Sequence, residues 1–347
     1  MKLLVTGING MVASYLAELF LERGHEVVGT YRWQEDMSNI QHIKDKIKMV
    51  YLNINDLSNC IKVIEQEKPD VISHLAAESY VSDSFDHPEE SIRTNGLGTY
   101  KLLEAIRIVR EMINIPKNSM FFSKNAVKIF DPVIHICSSS EVYGLVTKKD
   151  VPIKENQIFN PTNPYACGKV LADVLARMYY TNYGLKTITT RMFTHFSSKR
   201  MMLSAEVNIA NQIARIEKGL QEPILKHGNL DSIRTWADVK DACEAYYLIL
   251  TKPKRFGEVY NIGGNVTKTI REMLKTMLSF SKMKDKIKLK QDPKLLRKYD
   301  VTLQIPNILK FQKDYPEWKA KIEFSTSILE LLNAKRKIYE KEKNRLE

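Results

Sequence analysis

A tyrosine and a lysine, Tyr165 and Lys169, stand four residues apart in the segment NPYACGK. Asn163 can cap a helix and Pro164 suits its first turn, so the two side chains are predicted to share one helix face. The phenol of a tyrosine is a poor base at neutral pH, because its usual pKa is about 10. A neighbouring ammonium group lowers that pKa. The pair could therefore take the proton of a hydroxyl group while hydride leaves the carbon that bears it.

A second cluster consists of Ser139, Ser140 and Glu141, which follow the apolar run VIHIC. A serine in this place can hydrogen-bond a substrate hydroxyl. Simple oxidation of an alcohol needs no additional carboxylate, so Glu141 indicates a second proton transfer, such as abstraction next to a newly formed ketone. The alternative is that Glu141 caps a loop or pairs with a lysine.

Gly7, Gly10 and Ala13 form a G-x-x-G-x-x-A pattern between the apolar stretch KLLVT and a segment with helical spacing. Small residues allow a tight turn and a close approach of the backbone to a pyrophosphate, and the helix N-terminus adds free N–H groups. The pattern therefore predicts a dinucleotide-binding turn. A plain tight turn is the alternative.

The end of the next strand bears on which dinucleotide binds. Sites for NAD usually place an acidic residue there to hold the ribose hydroxyls, whereas this chain has Tyr31 and Arg32. A guanidinium group can pair with a 2′-phosphate, so the sequence favours NADP over NAD. The alternative is that Arg32 is an ordinary surface arginine.

Strand and helix patterns alternate through the first half of the chain, which predicts an α/β fold with a doubly wound parallel sheet of the Rossmann type. Five early strands are expected, and KTITTRMF and EVYNIGG are predicted to add later strands to the same sheet. The predicted cofactor domain covers 1–196 and about 227–264. A smaller C-terminal substrate-binding lobe covers about 197–226 and 265–347. Residues 114–131 are predicted to form a loop insertion.

The composition excludes several classes of protein. A chain of 347 residues is long enough for a sizeable core. No run of about 18 apolar residues predicts a membrane span, and the first residues lack the order of a signal peptide. The four cysteines form no CxxC pair, so we expect no disulfide framework and no metal site, and a cytoplasmic location fits.

The formal net charge of +12 raises the question of nucleic-acid binding. The positive residues concentrate late, in KMKDKIKLKQDPKLLRK and AKRKIYEKEKNRLE. The second stretch mixes both signs at helical spacing, which indicates a solvated terminal helix. We therefore expect a basic protein that attracts an anionic substrate, and no nucleic-acid partner.

Together these motifs resemble the extended short-chain dehydrogenase/reductase superfamily, and within it the GDP-mannose 4,6-dehydratases and their relatives that act on GDP-manno-heptose. The resemblance covers nearly the whole chain and includes HLAAESYVSDSFDHP, RMFTHFSSKR, GNLDSIRTWADVKDA and DPKLLRKYDVTLQIP. It implies dehydration of a GDP-linked sugar to a 4-keto-6-deoxy sugar, in which one bound NADP accepts a hydride from C4 and returns it to C6.

The resemblance implies a role for each catalytic candidate. Tyr165 is expected to take the O4 proton, and Lys169 to bind the nicotinamide ribose and tune the tyrosine. Glu141 is expected to remove the C5 proton and help expel the C6 hydroxyl as water. Ser139 is expected to polarise the C4 oxygen.

The resemblance also implies binding residues. Substrate contacts are expected at Ser139 and Ser140, and at Arg234 and Arg297, which would meet the phosphates. The alternative for either arginine is an ion pair that stabilises the fold. The cofactor contacts are expected at Gly7, Asn9, Gly10, Met11, Val12, Arg32, Asn53, Ile54, Leu75, Ala76, Ala77, Ser79, Tyr165, Lys169, His195 and Arg200.

Departures from the family pattern bear on the sugar. The family usually has glutamine where this chain has Glu78 and aspartate where it has Asn53, and an Arg-Lys pair where it has Asn208 and Ile209. The segment THFSSKRMM also replaces the common NHESPRRGE. These changes concern the cofactor grip and the substrate lobe. The expected substrate is GDP-manno-heptose or GDP-mannose, and the changes favour the bulkier heptose.

Two classes of alternative remain. Another enzyme on the same scaffold would be a 4-keto reductase, a C4 dehydrogenase, an epimerase or a decarboxylase. Glu141 favours dehydration over reduction, although sugar decarboxylases also use a Ser-Glu pair here. A non-catalytic NADP-binding regulatory protein is the other class, and the intact catalytic set speaks against it. By resemblance, a homodimer or homotetramer is expected.

Overall fold

The structure is a computed structural model. Most of the loop predicted at 114–131 lies outside the residues that it describes, and Arg297 does too. The four cysteines are all described and all carry free thiols. The described residues are 1–114, 129–200, 204–296 and 300–346.

The described residues form thirteen strands and eleven α-helices. Among these helices, none combines the length and the apolar character needed to cross a membrane. The strands are β1 (Lys2–Thr6), β2 (Glu26–Tyr31), β3 (Lys48–Tyr51), β4 (Val71–His74), β5 (Val133–Ser139), β6 (Lys186–Met192), β7 (His195–Phe196), β8 (Ile224–His227), β9 (Ile233–Asp238), β10 (Val259–Ile262), β11 (Val266–Thr269), β12 (Lys288–Gln291) and β13 (Leu303–Gln304). The helices are α1 (Met11–Glu22), α2 (Leu57–Glu67), α3 (Asp83–Asp86), α4 (Pro88–Ile92), α5 (Gly98–Asn114), α6 (Pro164–Tyr183), α7 (Ala205–Glu217), α8 (Val239–Thr251), α9 (Ile270–Ser279), α10 (Leu309–Asp314) and α11 (Phe324–Leu346).

Seven strands form one sheet in the order β10-β6-β5-β4-β1-β2-β3. β1 pairs in parallel with both β2 and β4, and β2–β3 and β4–β5 are also parallel. Leu3, Leu4 and Val5 of β1 are fully buried, as expected for a strand covered on both faces. The strand order reverses beside β1, and in such sheets ligands bind at the carboxyl ends of the strands at this reversal. The predicted doubly wound parallel sheet is confirmed.

The chain divides into two compact units. The first comprises 1–138, 163–190 and 243–259, and the second comprises 139–162, 191–242 and 260–347. Compactness does not say which ligand a unit binds. The predicted division into a cofactor domain and a substrate lobe therefore stays a prediction.

The core of the first unit contains the facing sides of α2 and α5. The side chain of Asp56 accepts a hydrogen bond from the backbone at the start of α2 and so caps this helix. Val63 and Ile64 of α2 and Leu102 and Ile106 of α5 are buried in one apolar cluster with the sheet. Their helical spacing gives each helix one apolar face, and burying that face stabilises both helices.

α4 and α5 are joined without interruption by a π-helical turn over Arg93–Leu97. A side chain at Gly96 would place its Cβ 2.6 Å from Leu171 of α6, and one at Gly168 would place its Cβ 2.8 Å from Asn95. Real Cβ contacts are essentially never that short, so Leu171 would have to shift to admit a side chain at Gly96, whereas at Gly168 the Cβ of Asn95 leaves room only for glycine. This close approach sets the position of α6, which carries the predicted tyrosine–lysine pair.

The hydroxyl group of Thr6 links the end of β1 to the turn that follows β4. Its oxygen accepts hydrogen bonds from the N–H groups of Leu75 and Ala76, both at 3.0 Å, and lies 2.8 Å from Nδ1 of His74. Burial lowers the pKa of His74 to about 3, so the ring is neutral. Thr6 therefore donates its hydrogen to Nδ1, and Nε2 donates to Thr99 at 3.0 Å.

The same network continues into the π-helical turn. Thr99 donates to the carbonyl oxygen of Asn95 at 2.7 Å. The side-chain amide of Asn95 donates to the carbonyl oxygen of Glu78 and accepts from its N–H, both at 2.9 Å. Each group in this chain of hydrogen bonds has a defined role as donor or acceptor. The network therefore fixes the backbone that follows β4.

The second unit has its own sheets and its own core. One sheet has the order β11-β9-β13, with β7 also paired to β9, and β12 pairs with β8. The rings of Phe196, Trp236 and Phe324 pack edge to face with centroids 5.5 to 6.0 Å apart. α7, α9 and α11 add apolar residues to this cluster, among them Ile213 and Met273. This aromatic contact anchors α11 on β9.

Replacing Thr6 by valine, which has nearly the same shape, should reveal how much the buried hydroxyl contributes. Two backbone N–H groups lose their acceptor, and each unsatisfied buried donor costs about 1–3 kcal/mol. We expect the free energy of unfolding to fall by about 2–4 kcal/mol in urea titrations. Thr6→Ser keeps the hydroxyl and should lose about 1 kcal/mol. Equal losses in the two variants would contradict a role for the hydroxyl.

Candidate active site

The turn between β1 and α1 has the shape that the glycine pattern predicts. Gly7 has φ +70°, and a side chain there would bring its Cβ to 3.0 Å from Cα of Ala76. The N–H of Gly10 donates to the carbonyl oxygen of Gly7 at 3.0 Å. Gly10 caps α1, and among the described side chains none caps this helix end and none in its first turn, which starts with Met11 and Val12, is acidic. The helix N-terminus therefore presents backbone N–H groups and a partial positive charge that suit a pyrophosphate.

Arg32 follows β2 directly and contacts two carboxylates. Its Nε donates to Glu35 at 2.7 Å, and another guanidinium nitrogen lies 3.2 Å from Oε1 of Glu78. About half of the Arg32 side chain is exposed, so water screens these pairs. A 2′-phosphate that binds Arg32 must compete with both carboxylates. Neither carboxylate is identifiable as a competitor from the sequence alone.

The residues predicted to follow β4 along the cofactor are held by the network of Thr6. Leu75 and Ala76 donate to Thr6. Ala77 is half-buried in the same stretch, and Ser79 is exposed next to the anchored Glu78. The backbone of Leu75 and Ala76 is therefore fixed by hydrogen bonds, and the part of all four residues in binding a cofactor stays a prediction.

Three further cofactor candidates are tied into local structure. The carbonyl oxygen of Asn9 accepts from the side chain of Asn39 at 2.9 Å. The N–H of Asn53 donates to Oδ1 of Asn59 at 2.8 Å, and Ile54 is buried. These contacts give the candidates fixed backbones, and their part in binding a nucleotide stays a prediction.

Tyr165 and Lys169 lie on α6 as predicted. The Asn163 side chain accepts from the N–H of Ala166 at 2.8 Å, and Pro164 occupies the first helical position. The ammonium nitrogen of Lys169 lies 5.9 Å from the centroid of the Tyr165 ring. This distance lies within the range of a cation–π contact between the ammonium group and the ring.

Lys169 is buried, and its ammonium group donates to the carbonyl oxygen of Cys137 at 2.8 Å. Burial lowers the pKa of Lys169 from its ordinary value. Burial and, to a smaller extent, the charge of Lys169 together lower the pKa values of His74 and His135 to about 3. Both histidines are therefore neutral near pH 7, and Lys169 supplies the positive charge at the end of β5.

Ser139 and Glu141 belong to the second unit, where a 3₁₀ turn over Ser140–Tyr143 follows β5. The Oγ of Ser139 accepts from the N–H of Glu141 at 3.2 Å, which leaves the hydroxyl hydrogen of Ser139 to be donated elsewhere. The hydroxyl of Tyr143 donates to Asn261 at 2.6 Å. The turn that carries Glu141 is therefore fixed at both of its ends.

One contact of Glu141 is not among those predicted from the sequence. The side-chain amide of Gln304, on β13, donates to a carboxylate oxygen of Glu141 at 2.7 Å. The signal in the sequence is a glutamine inside the apolar stretch VTLQIP, because a polar residue in a buried strand needs a partner. The partner itself lies far away in the chain, so its identity is visible only in the structure.

His195 and Arg200 lie together in the second unit. Nδ1 of His195 donates to the carbonyl oxygen of Phe193 at 3.1 Å, and burial lowers the pKa of His195 to about 4. Its Nε2 is thus an acceptor near pH 7. Arg200 donates to the carbonyl oxygen of His195 and lies 3.4 Å from a carboxylate oxygen of Glu206.

Arg234, predicted to meet a phosphate, lies on β9. Its guanidinium group donates to the carbonyl oxygen of Ile233 at 3.0 Å and lies 4.0 Å from Asp300. The Asp300 carboxylate also accepts from Asn229 and Ser232. The ion pair between Arg234 and Asp300 is long. Asp300 is held by its other two donors as well.

Comparison with known proteins identifies the family of this chain. The family described as GDP-mannose 4,6 dehydratase matches residues 4–331. The chain is 32% identical over 286 residues to the GDP-mannose 4,6-dehydratase of Vibrio cholerae serotype O1, which covers 78% of this chain and 71% of that protein. It is 30% identical over 355 residues to GDP-mannose 4,6 dehydratase of Homo sapiens, which covers 95% and 90% of the two chains.

Among solved structures, the chain is similar to dTDP-glucose 4,6-dehydratase from Bacillus anthracis in complex with NAD. The TM-score is 0.77 at 25% identity, and the match covers 98% of each chain. The fold, the dinucleotide-type turn after β1 and the extent of the family match all agree with the resemblance drawn from the sequence. The chain therefore belongs to the GDP-mannose 4,6-dehydratase family.

Proposed function

We propose that this protein is an NADP-dependent GDP-sugar 4,6-dehydratase that converts GDP-manno-heptose or GDP-mannose to the 4-keto-6-deoxy sugar. Glu141 is the observation that carries dehydration over simple oxidation or reduction. Its backbone is bonded to Ser139 and its carboxylate to Gln304. A carboxylate fixed in this way suits a proton transfer that alcohol oxidation alone does not need.

The first turn of the chain fits a dinucleotide cofactor. Gly7 leaves a space beside Ala76 that a Cβ would fill, and α1 presents its N-terminus without a side-chain cap among the described residues. Gly7, Gly10, Met11 and Val12 would hold the pyrophosphate there. The bound NADP would supply an acceptor for the hydride of C4 and, once reduced, a hydride donor to C6, so that no cofactor is consumed.

The roles of α6 follow from its charges. Tyr165 takes the proton of the O4 hydroxyl as C4 is oxidised, because the nearby ammonium of Lys169 stabilises the phenolate. Lys169 stays in place because Cys137 holds it at 2.8 Å. Lys169 also binds the nicotinamide ribose, and Ser139 donates a hydrogen bond to O4.

Elimination is the work of Glu141. Once C4 is a ketone, the proton on C5 is acidic, and the carboxylate of Glu141 removes it. Glu141 passes this proton to the C6 hydroxyl, which leaves as water, and the proton that Tyr165 took from O4 balances the one that C5 regains when hydride returns to C6. Arg234 and Arg297 are proposed to bind the phosphates of the GDP group. Ser140 is proposed as a further substrate contact.

The choice of NADP over NAD rests on Arg32. A guanidinium group pairs well with a 2′-phosphate, but Glu35 and Glu78 compete for it. The similar dTDP-glucose 4,6-dehydratase of known structure holds NAD. An assembly of two or four copies, a cytoplasmic location and the absence of a nucleic-acid partner stay predictions from the sequence.

Product analysis tests the function directly. The purified chain should be incubated with NADP and, separately, with GDP-mannose, GDP-manno-heptose and dTDP-glucose. We expect mass spectrometry to show the loss of one water from a GDP sugar with no net change in NADPH. Release of CO2 would instead indicate a decarboxylase, and net consumption of NADPH a reductase. Binding of NADP without conversion of any sugar would favour a regulatory protein.

Substitutions of Tyr165 and Glu141 should separate the two halves of the reaction. Tyr165→Phe should reduce the oxidation of C4 by about 10²–10⁴-fold, since a positioned general base contributes roughly that factor, while cofactor affinity stays nearly intact. Glu141→Gln should slow elimination by a similar factor and leave oxidation of C4 in place. Single-turnover kinetics followed by the absorbance of reduced cofactor distinguishes them. Dehydration at an unaltered rate by Glu141→Gln would refute its role.

Titration of cofactor affinity tests the assignment to Arg32. Arg32→Ala should weaken NADP binding by about 10–100-fold, as expected for the loss of one charge-assisted pair, and should leave NAD binding nearly unchanged. Glu35→Gln should strengthen NADP binding, because it removes a competing carboxylate. Fluorescence titration measures both affinities. Tighter binding of NAD than of NADP by the unaltered protein would contradict the proposed preference.

A further inference from the structure

The side chain of Gln304 connects the carboxylate of Glu141 to the hydroxyl of Thr194. Its amide nitrogen lies 2.7 Å from Oε1 of Glu141, and its amide oxygen lies 3.3 Å from Oγ1 of Thr194. All three residues belong to the second unit. Gln304 and Glu141 are 163 residues apart in the chain. The contact therefore depends on the tertiary fold.

The orientation of this amide follows from the chemistry of its neighbours. An ionised carboxylate can only accept hydrogen bonds, so the NH₂ end of Gln304 must face Glu141. The oxygen end then faces Thr194, whose hydroxyl can donate. The reversed amide would put two acceptors together at Glu141. The direction of both hydrogen bonds is therefore determined.

Gln304 is held firmly in this place. Only 4% of its surface is exposed, and a buried amide without partners would cost free energy. β13 pairs in parallel with β9, with Gln304 opposite Arg234. Backbone pairing and side-chain hydrogen bonds thus fix the amide from two directions.

The carboxylate of Glu141 is correspondingly fixed. Its N–H donates to Ser139 at 3.2 Å, which sets the backbone, and Gln304 sets one carboxylate oxygen. Removal of a proton from carbon requires a base within a few tenths of an ångström of the correct position, and small misplacements cost rate steeply. A hydrogen bond to one carboxylate oxygen supplies this constraint.

We propose that Gln304 is a positioning residue, which orients the Glu141 carboxylate for abstraction of the C5 proton, and that Thr194 orients Gln304 in turn. This inference rests on the proposed dehydratase function. Gln304 does not transfer a proton itself. Its effect is confined to elimination, so oxidation of C4 by Tyr165 does not depend on it.

A purely structural role for Gln304 makes a different prediction. The amide would then satisfy only its own burial, and its loss would lower stability and slow both half-reactions together. The two roles are therefore separated by which step is slowed, rather than by whether activity falls.

The experiment compares Gln304→Met, Thr194→Val and Thr194→Ser with the unaltered protein on the GDP sugar that it converts best. Methionine matches glutamine in length and lacks the donor, and Thr194→Ser keeps the hydroxyl. Thr235→Val is the matched control, because the buried Thr235 hydroxyl bonds Thr267 on β11. Circular dichroism and thermal unfolding establish that each variant folds.

For Gln304→Met we expect kcat to fall by about 10–100-fold with little change in KM, in line with the loss of a hydrogen bond to a charged group. Reduced cofactor should accumulate during a single turnover, because C4 oxidation continues while elimination is slow. Deuterium at C5 should give a larger isotope effect on kcat than in the unaltered protein. Thr194→Val should show the same pattern more weakly. Thr194→Ser should behave nearly like the unaltered protein.

Three results would overturn the inference while leaving the proposed function in place. Gln304→Met could turn over at the normal rate, or it could slow oxidation and elimination equally. Thr235→Val could reproduce the pattern of Thr194→Val, which would make the effect a general one of removing buried hydroxyls. If Gln304→Met does not fold, the comparison of Thr194→Val with Thr194→Ser decides alone. Absence of dehydration by the unaltered protein would overturn the proposed function and the inference together, whereas the other results leave the function standing.

Discussion

A buried ammonium group, that of Lys169, determines the electrostatics at the end of β5. The carbonyl oxygen of Cys137 holds it, and 7% of the residue is exposed. The pKa values of His74 and His135 are lowered to about 3 by burial and by this charge, so the nearby histidines are neutral near pH 7. Among these three groups only Lys169 is positively charged, and its ammonium group lies 5.9 Å from the centroid of the Tyr165 ring.

Rigid placement of polar groups is common to both units. In the first, the Thr6 hydroxyl uses every hydrogen-bonding direction to hold the backbone after β4. In the second, Ser139 and Gln304 hold Glu141 by its backbone and by its side chain. Such preorganisation matters for catalysis because groups already in place need no rearrangement when the reaction occurs.

The sequence predicted the local features of the candidate site well, since they depend on neighbours in the chain. The cap at Asn163, the proline at the start of α6 and the turn at Gly7 are all confirmed. Contacts between distant residues could not be predicted in this way. Nothing near Gln304 in sequence indicates that its partner is Glu141.

The surroundings of Arg32 show the same limit. Its position after β2 was readable, whereas the approach of Glu78 depends on how the turn after β4 is anchored. The glycine in NPYACGK had no predicted purpose either. Gly168 is explained only by the closeness of Asn95 on the neighbouring helix.

The π-helical turn over Arg93–Leu97 sets the rotational phase between α4 and α5. Such a turn holds one residue more than an α-helical turn, and one residue corresponds to about 100° around a helix axis. Deleting a single residue there would rotate α4 by that angle relative to α5, while shortening the helix only slightly. A deletion after Asn95 would turn this residue, together with α4, away from Glu78 and Gly168. Inserting or deleting a residue in these five positions therefore changes which side chains of α4 face the neighbouring elements. Contacts with the loop after β4 and with α6 would both change.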